Sequence, residues 1–357
     1  MQIWSREAQT QAQQGNPCAA RAGGAAGAGC AALCLWRGGA GAGAARCACP
    51  HGQLAAGGTG CEPYESFLLF ANGAEIESAH LDETQLNAPY PPVSDRELMR
   101  SVVALAYEYA ESRLFYSDIQ RGTINTAHFN GTGHRVLLDR AGAVEGMVFS
   151  AATRTLYFTS GGAGAGGAAA VRAVRLGRGA GAGAGRARTV VRLGRGARPR
   201  GVDYEPCARR VYWTDWGAAP GVRRAAAAGG RPDTLVATAV LMPNGLALDH
   251  AAARLYWADA RLDKLERAHY DGSHRHVVAR APAQHPFGVA VLGDWLVWTD
   301  WLAHGLYRAD KRAGAVLQLR RGLRRPMAVV AVAPDHQTCA PDPCGGCAEL
   351  CVPAPAG

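Results

Sequence analysis

A short strand-like motif recurs along the chain, and its spacing restricts the possible folds more than any other feature. Each copy is an apolar and aromatic run that mostly ends in a small polar residue and an acid. The copies read LFYSD at 114–118, LYFTS at 156–160, VYWTD at 211–215, LYWAD at 255–259 and LVWTD at 296–300. Their starts lie 42, 55, 44 and 41 residues apart, a period typical of β-propeller blades rather than of helical solenoids.

Further strand signals surround each copy of the motif. A turn signal and a short apolar strand precede the later copies, in VEGMVF at 144–149, PRGVDY at 199–204, PNGLALD at 243–249 and PFGVAV at 286–291. Asn-Gly follows Phe129 and Asp-Gly follows Tyr270, and each dipeptide separates two strand-like runs. Such dipeptides are a strong hairpin signal. Three or four strands per repeat describe one antiparallel blade, which buries both faces only in a closed ring.

The two ends of the repeat region complete the ring. SFLLFANGAEI at 66–76 is a degraded motif strand with no inner strand before it, and RPMAVVAV at 325–332 is an inner strand with no motif strand after it. Pairing them closes the ring and removes its open edge. We therefore predict an all-β, six-bladed propeller.

These motifs resemble the YWTD repeats of the low-density lipoprotein receptor family, and the order NPC…CxCP…C, six blades and a Cys-rich restart resembles the EGF-like, propeller, EGF-like order of its large endocytic members. The resemblance implies an unstructured tail at 1–15 and an EGF-like module at 16–61. It further implies a propeller at 62–338 and the start of a truncated second EGF-like module at 339–357.

An Ala/Gly/Arg tract at 161–197 interrupts the pattern, and we predict no strand in it. Val171 to Arg200 contains nine arginines and no acid, against a formal net charge of +9 for the chain. The remainder is thus about neutral, which argues against a nucleic-acid-binding surface spread over the fold. In the copy before the tract, Ser160 replaces the acid.

Ten of the eleven cysteines lie in two clusters, which indicates disulfides and an oxidising compartment. Sequence alone leaves fifteen connectivities for the first six, whereas the EGF-like resemblance implies Cys18–Cys34, Cys30–Cys47 and Cys49–Cys61. It also implies that Cys344, Cys347 and Cys351 begin the second module, with Cys344 and Cys351 in a disulfide and Cys347 without its partner. We predict that Cys207 pairs with Cys339, because a secreted fold seldom leaves two thiols free.

Metal and redox sites are the alternatives for these cysteines. Cys47, Cys49 and His51 could begin a zinc site, but no second clustered pair has zinc-finger spacing. CGGC at 344–347 could suggest a redox motif if taken without its context. We predict no metal ligand and no cofactor in this segment, and the calcium-binding run expected before Cys18 is not present.

The acids of the repeats occupy one structural position each, which favours a role in blade geometry over an acid/base pair. They are Asp118, Asp215, Asp259 and Asp300. We therefore predict no catalytic residue. The alternatives are a secreted propeller hydrolase with a metal in the central channel, a signalling co-receptor propeller that binds proteins, and an intracellular WD-type scaffold, which the flanking cysteines disfavour.

The family resemblance implies a non-catalytic extracellular scaffold and ligand-release segment of an endocytic receptor. Its partners would be protein or lipoprotein cargo and neighbouring modules of the same single-pass membrane receptor, with calcium bound in neighbouring ligand-binding repeats. We expect no partner nucleic acid and no membrane span in this segment. The opening MQIWSREAQT lacks the apolar core of a signal peptide.

Several single residues are candidates for contact or modification. Asn130 lies in the chain's one Asn-x-Ser/Thr sequon, at a predicted hairpin turn, and could be glycosylated or serve only the turn. The histidines His269, His274 and His276 flank the Asp271-Gly272 turn and could respond to endosomal acid. The mid-strand aromatics, Tyr212, Trp213, Tyr256, Trp257 and Trp298, should pack between blades, whereas the loop residues Trp216, Trp295 and Trp301 are candidates for partner contact.

Overall fold

The computed structural model describes residues 2–4, 30, 33–36, 45–49, 52–82, 84, 87–161, 168–179, 183–280, 283–312 and 315–334. The chain forms two compact units, one of Met1–Glu65 with Asn87–Pro91 and one of Ser66–Leu86 with Pro92–Gly357. Among the described residues, no helix has the length and apolar character that crossing a membrane requires.

The smaller unit contains short antiparallel strands and disulfides. Its described strands are β1 (Gln2–Trp4), β2 (Leu33–Trp36), β3 (Ala45–Ala48), β4 (Gln53–Leu54) and β5 (Cys61–Glu62). The first three form one sheet and the last two form a hairpin. The predicted tail at 1–15 differs from the structure at β1, which pairs with β2 because Gln2-Ile3-Trp4 is a short run suited to a strand.

Two of the implied disulfides are present in this unit. Cys30 is bonded to Cys47 and Cys49 to Cys61. Cys34 is also disulfide-bonded, and Cys18, its implied partner, lies outside the described residues. This pattern is consistent with an EGF-like module.

The larger unit is built from β-strands. In chain order they are β6 (Phe67–Asn72), β7 (Glu75–Ala79), β8 (Val93–Ser94), β9 (Val102–Glu108), β10 (Arg113–Asp118), β11 (Thr123–His128), β12 (Arg135–Leu138), β13 (Met147–Ser150), β14 (Thr155–Ser160), β15 (Ala170–Arg175), β16 (Arg188–Arg192), β17 (Pro199–Glu205), β18 (Arg210–Asp215), β19 (Gly221–Ala226), β20 (Asp233–Val236), β21 (Pro243–Asp249), β22 (Arg254–Asp259), β23 (Lys264–His269), β24 (His276–Ala279), β25 (Pro286–Leu292), β26 (Trp295–Asp300), β27 (Gly305–Asp310), β28 (Leu317–Arg320) and β29 (Pro326–Val332).

These strands form six four-stranded antiparallel sheets, which are the blades of a propeller. Blade 1 has the order β29-β6-β7-β8, and blades 2 to 6 follow as β9–β12, β13–β16, β17–β20, β21–β24 and β25–β28. In blade 1, Val329 pairs with Phe70 and Pro326 with Asn72. The predictions of an all-β propeller, of six blades and of closure by both ends of the repeat region are confirmed.

The Ala/Gly/Arg tract contains two strands that the sequence did not predict. They are β15 and β16, the outer strands of blade 3. Val171 and Ala173 of β15 and Val191 of β16 are buried in the cluster shared with blade 4. Alanine suffices at these buried positions because large side chains of the neighbouring blade fill the space between the two sheets. Packing therefore overrides the weak strand propensity of the tract.

The mid-strand aromatic residues pack inside the propeller, as predicted. Tyr212, Trp213, Tyr256, Trp257 and Trp298 are fully buried. Trp298 stacks on Tyr307 of the next strand with 5.6 Å between ring centres. Contacts of this kind add stability beyond the buried area alone.

The acid that ends each motif strand holds two loops together. Asp259 accepts hydrogen bonds from the amides of Leu241 and Met242, before the inner strand, and from those of Arg261 and Leu262, after its own strand. The other motif acids accept amides from the same two loops of their blades, and they are Asp118, Asp215 and Asp300. The predicted role of these acids in blade geometry is therefore observed.

Two blades use a different residue at this position. In blade 1, the Oδ1 of Asn72 accepts the amide of Arg325 at 2.9 Å. In blade 3, the hydroxyl of Ser160 donates to the carbonyl of Ala141 at 2.9 Å, which reverses the direction of the bond. Each substitution retains a side-chain bond to the loop that leads into the inner strand.

Hydroxyl side chains one position earlier bond one blade to the next. Each donates to a carbonyl in or just before the inner strand of the following blade. The pairs are Ser117 with Val144, Thr159 with Arg200, Thr214 with Asn244 and Thr299 with Met327. These bonds fix the inner strands around the central channel.

Glycines near the start of four inner strands allow those strands to approach closely. A Cβ on Gly245 would lie 2.5 Å from the carbonyl oxygen of Phe287 in the next inner strand. Gly146, Gly201 and Gly288 are equally close to the backbone of their neighbours. Only a residue without a side chain fits at these positions.

Candidate functional site

The propeller has an upper face, defined as the end at which the inner strands begin and the motif strands end. A band of stacked side chains crosses this face from blade 4 to blade 6. The guanidinium groups of Arg198 and Arg200 each lie 4.6 Å from the ring centre of Trp216. Arg200 is also 5.3 Å from the ring of Phe287, and that ring stacks on Trp301 at 5.4 Å. We call these five residues the upper band.

The surroundings of the upper band are partly apolar and open to solvent. His285 stacks on Trp301 at 5.6 Å, and the guanidinium of Arg325 lies 6.0 Å from the same ring. The side chains of Leu241 and Leu302, in loops of this face, are 51% and 62% exposed. Aromatic and arginine side chains beside exposed leucines are the composition of protein-binding surfaces.

The structure separates the three predicted contact tryptophans. Trp216 and Trp301 belong to the upper band, because each directly follows the acid of its motif. Trp295 begins β26 and therefore lies at the opposite end of blade 6, where Arg308 covers its ring at 4.2 Å. Arg200 and Phe287 were not predicted from the sequence, since each looks like an ordinary residue of an inner strand.

The central channel contains a cavity of about 450 Å³ lined by the inner strands. Near its upper end, the Nε of Arg200 lies 2.8 Å from a carboxylate oxygen of Glu145. A second nitrogen of Arg200 donates to the side-chain oxygen of Asn244, whose amide group donates to the carbonyl of Pro286 at 3.0 Å. Burial lowers the pKa of Arg200, and the carboxylate of Glu145 opposes this change.

This arrangement does not fit a metal in the channel. The guanidinium of Arg200 lies between the oxygens of Glu145 and Asn244 that could otherwise act as ligands. In the part of the chain that the structure describes, no three His, Cys, Asp or Glu side chains are grouped as a metal site. The channel therefore offers no support for a metal-dependent hydrolase.

Asp203, on inner strand β17, places a carboxyl group on the channel wall. Burial raises its pKa to about 7, and hydrogen bonds from the amides of Leu248 and Tyr204 oppose this change. The amide of Leu248, in the next blade, lies 2.8 Å from the carboxylate. Asp203 therefore changes charge near neutral pH.

We expect Asp203 to make the propeller less stable as pH rises. Since its pKa is higher in the folded state, the unfolded state loses the proton first, and the cost of folding grows between about pH 4 and pH 7. The loss should be on the order of 3 kcal/mol, complete above pH 7 and absent below pH 4. Denaturant unfolding of Asp203→Asn at several pH values should lack this decline, whereas Asp139→Asn, at an exposed site, should retain it. Parallel pH curves for wild type and Asp203→Asn would contradict the assignment.

The candidate histidines lie on the outer hairpin of blade 5. The ring centres of His269 and His274 are 4.6 Å apart, and exposed His276 begins β24. Hydrogen bonds from Ser273 lower the pKa of Asp271, in the same turn, so a negative charge stays beside these rings. His285 follows β24 in sequence but lies at the other end of the blade, next to Trp301.

Asn130 is exposed in the turn between β11 and β12. Its Oδ1 accepts the amide and the hydroxyl of Thr132 at 3.1 and 2.8 Å. The residue thus shapes the turn and remains open to solvent, so the turn role does not conflict with the predicted glycosylation.

Cys207, between β17 and β18, is disulfide-bonded. Its predicted partner, Cys339, lies outside the described residues, as do Cys344, Cys347 and Cys351. The pairing of Cys207 with Cys339 stays a prediction.

Comparisons with known proteins agree with this architecture. A relative, the vitellogenin receptor Yl of Drosophila melanogaster, is 28% identical over 320 residues, covering 86% of this chain but only 15% of the receptor. A solved chain of a nidogen/laminin complex superposes with a TM-score of 0.63 at 21% identity, over 75% of this chain and 98% of its own. A gluconolactonase from Xanthomonas campestris shares the fold at a TM-score of 0.51 and 20% identity, over 64% of this chain and 78% of its own.

The most specific match falls on the middle blades. Residues 209–250 and 253–292 match the family model of the low-density lipoprotein receptor repeat class B. These segments contain the VYWTD and LYWAD motifs together with the inner strands that follow them. These two segments of the propeller therefore match class B repeats of the low-density lipoprotein receptor type.

Proposed function

We propose that this chain is a segment of the extracellular region of an endocytic receptor, in which the propeller is a non-catalytic, protein-binding scaffold. The class B repeats and the similarity to a vitellogenin receptor support a receptor role. Stretches such as PNGLALDHAAARLYWADARLDKLERAHYDGSHR resemble low-density lipoprotein receptor-related protein 1 or its near paralogue. The parent receptor would take up lipoprotein or protein cargo, with calcium held in neighbouring ligand-binding repeats.

The upper band is the observation that carries this proposal. It presents the exposed Arg198 and the partly exposed rings of Trp216 and Trp301 on one face, next to two exposed leucines, and Arg200 and the buried Phe287 connect these rings. An acidic protein module could bury the two tryptophan rings while its carboxylates pair with the guanidinium group of Arg198, which has the planar geometry that carboxylates prefer. Acidic, calcium-loaded cysteine-rich repeats of the same receptor are the partners that we assign to this face.

We expect Trp301→Ala to weaken binding of the full chain to such a repeat by about thirtyfold, because the substitution removes a partly exposed aromatic anchor from the upper band. The measurement is surface-based binding with a calcium-loaded repeat of the low-density lipoprotein receptor type as the probe. Trp295→Ala, at the opposite end of blade 6, is the matched control and should change affinity less than about twofold. Equal losses in the two variants would refute an upper-face site.

Acidification should add a separate contact for an acidic module at the end of blade 5 opposite the upper band, where His269 and His274 lie. Protonated imidazoles on the outer hairpin of blade 5 would attract an acidic module, which could displace basic cargo in endosomes. We expect affinity for the repeat to rise about tenfold from pH 7.4 to about pH 5.5. Replacement of His269, His274 and His276 by alanine should abolish the rise, and His285→Ala tests the upper face separately. If the triple variant still gains affinity fully, these histidines are not the switch.

A further inference from the structure

The outer edge of blade 3 is the most strongly basic surface of the described propeller. β16 is the outermost strand of this blade, and exposed arginines occur along it and in the loops at both of its ends. We call this set the basic edge, and its members are Arg175, Arg186, Arg188, Arg192 and Arg195. Arg178, in the loop that follows β15, lines the channel cavity and is not a member. None of the members forms an ion pair with an acid among the described residues.

The nearest acids already have other partners. Glu108 and Glu111, on blade 2, pair with the side chains of Arg113 and Arg154. The same two arginines donate to the carbonyls of Gly179 and Gly177 and thereby hold the loop that carries Arg178. The loop is fixed in place while its own arginine remains unpaired.

The strand pairing brings like charges together along this edge. The carbonyl of Arg175 accepts the amide of Gly185 at 2.9 Å, which places Arg186 across the hairpin from Arg175. Arg188 and Arg192 are the two ends of β16, about 13 Å apart at ordinary strand rise. The like charges of Arg175 and Arg186, which face each other across the hairpin, disfavour the folded state, and a bound polyanion would relieve this cost.

The composition of the edge favours a charged polymer over a protein as the ligand. The residues between the arginines are mostly glycine and alanine, and the large exposed apolar side chains, Leu54, Val136, Leu241 and Leu302, all lie elsewhere in the described chain. Protein interfaces need an apolar or aromatic anchor. A row of guanidinium forks without an anchor instead matches repeated sulfate and carboxylate groups.

We propose that the basic edge of blade 3 binds a sulfated polysaccharide of the cell surface or extracellular matrix. The choice of polysaccharide over nucleic acid rests on the extracellular placement in the proposed function. The site shares no residue with the upper band, and only Arg195, in the same loop as Arg198, lies close to it in sequence.

Heparin is the probe for the test, which uses the full chain. We compare the wild type with a variant in which Arg175, Arg186, Arg188 and Arg192 are alanine. The matched control replaces Arg96, Arg100, Arg231 and Arg280 with alanine. These residues are exposed, and their replacement removes the same charge from other surfaces. We expect the basic-edge variant to bind heparin at least about tenfold more weakly and the control to change less than about twofold, with salt weakening the wild-type complex. Equal losses would show that only net charge matters and would overturn the proposal.

Competition experiments distinguish the other polyanions. Desulfated heparin, double-stranded DNA and phosphatidylserine vesicles, at equal charge concentration, should compete much less than heparin. If DNA or vesicles compete as well as heparin, the edge is not a polysaccharide site. Trp301→Ala should bind heparin normally, so failure of the upper-face proposal would leave this result unchanged.

A measurement on the unmodified chain removes any dependence on how the variants fold. Phenylglyoxal modifies accessible arginines, and mass spectrometry reports the extent at each site. Heparin should protect Arg175, Arg186 and Arg192 but not Arg96 or Arg231. Uniform protection, or none, would contradict the proposed site.

Discussion

Gly245→Ala is expected to destabilise the propeller by about 3 kcal/mol or more. The added Cβ would lie 2.5 Å from the carbonyl oxygen of Phe287 and 2.6 Å from the amide nitrogen of Val289. Both atoms belong to the backbone of the next inner strand, which cannot move without disturbing blade 6 and the channel. Denaturant unfolding followed by tryptophan fluorescence measures the loss.

The matched control for this substitution is Gly194→Ala, because nothing lies within 4 Å of a Cβ built at Gly194. It should leave the free energy of unfolding within about 0.5 kcal/mol of the wild-type value, since Gly194 does not need a positive φ either. A stable Gly245→Ala protein would show that the inner strands are not in close contact at this height of the channel.

Asp259→Ala should cost about 3 to 5 kcal/mol. The substitution leaves four backbone amides without their acceptor, at Leu241, Met242, Arg261 and Leu262, next to a side-chain site that is fully buried. Hydrogen bonds to a charged acceptor are worth more than neutral ones, so the loss exceeds that of an ordinary loop contact. Thermal and denaturant unfolding both report it.

Asp139→Ala is the control for the loss of an aspartate, because the side chain of Asp139 is 72% exposed and contacts only Arg140 by an ion pair. Its effect should stay within about 0.5 kcal/mol. Hydrogen exchange adds a local test, since the amides of Leu241 and Leu262 should lose protection in Asp259→Ala. Unchanged protection there would mean that water replaces the carboxylate without cost.

Most of the fold could be predicted because the repeat combines two independent signals. In every copy, an apolar and aromatic run is followed by turn residues, and the spacing between copies is the length of one blade. The degraded motif strand SFLLF and the inner strand RPMAVV, at the two ends of the repeat region, could be assigned to one blade because each needs one partner for the ring to close. β15 and β16 could not be predicted, because alanine and arginine have little strand preference and the burial of Val171 and Ala173 depends on blade 4.

Only part of the candidate site could be predicted from the sequence. Trp216 and Trp301 could be selected because each follows the motif acid and so begins a surface loop. Their connection through Arg200 and Phe287 depends on how the ring places separate inner strands side by side. The charged state of Asp203 likewise depends on burial by neighbouring blades, which no local pattern reports.

Closure of blade 1 has a consequence for how the molecule is made. β6 is among the first propeller strands to be synthesised, yet its inner partner β29 is the last, and the bonded residues Asn72 and Arg325 are 253 positions apart. During translation the apolar edge of β6 therefore waits unpaired while five blades are added. A nascent chain in this state is open to pairing with other chains, and long-range closure is slow. Biosynthesis of the propeller should accordingly depend on a chaperone that covers this edge until Val332 has left the ribosome.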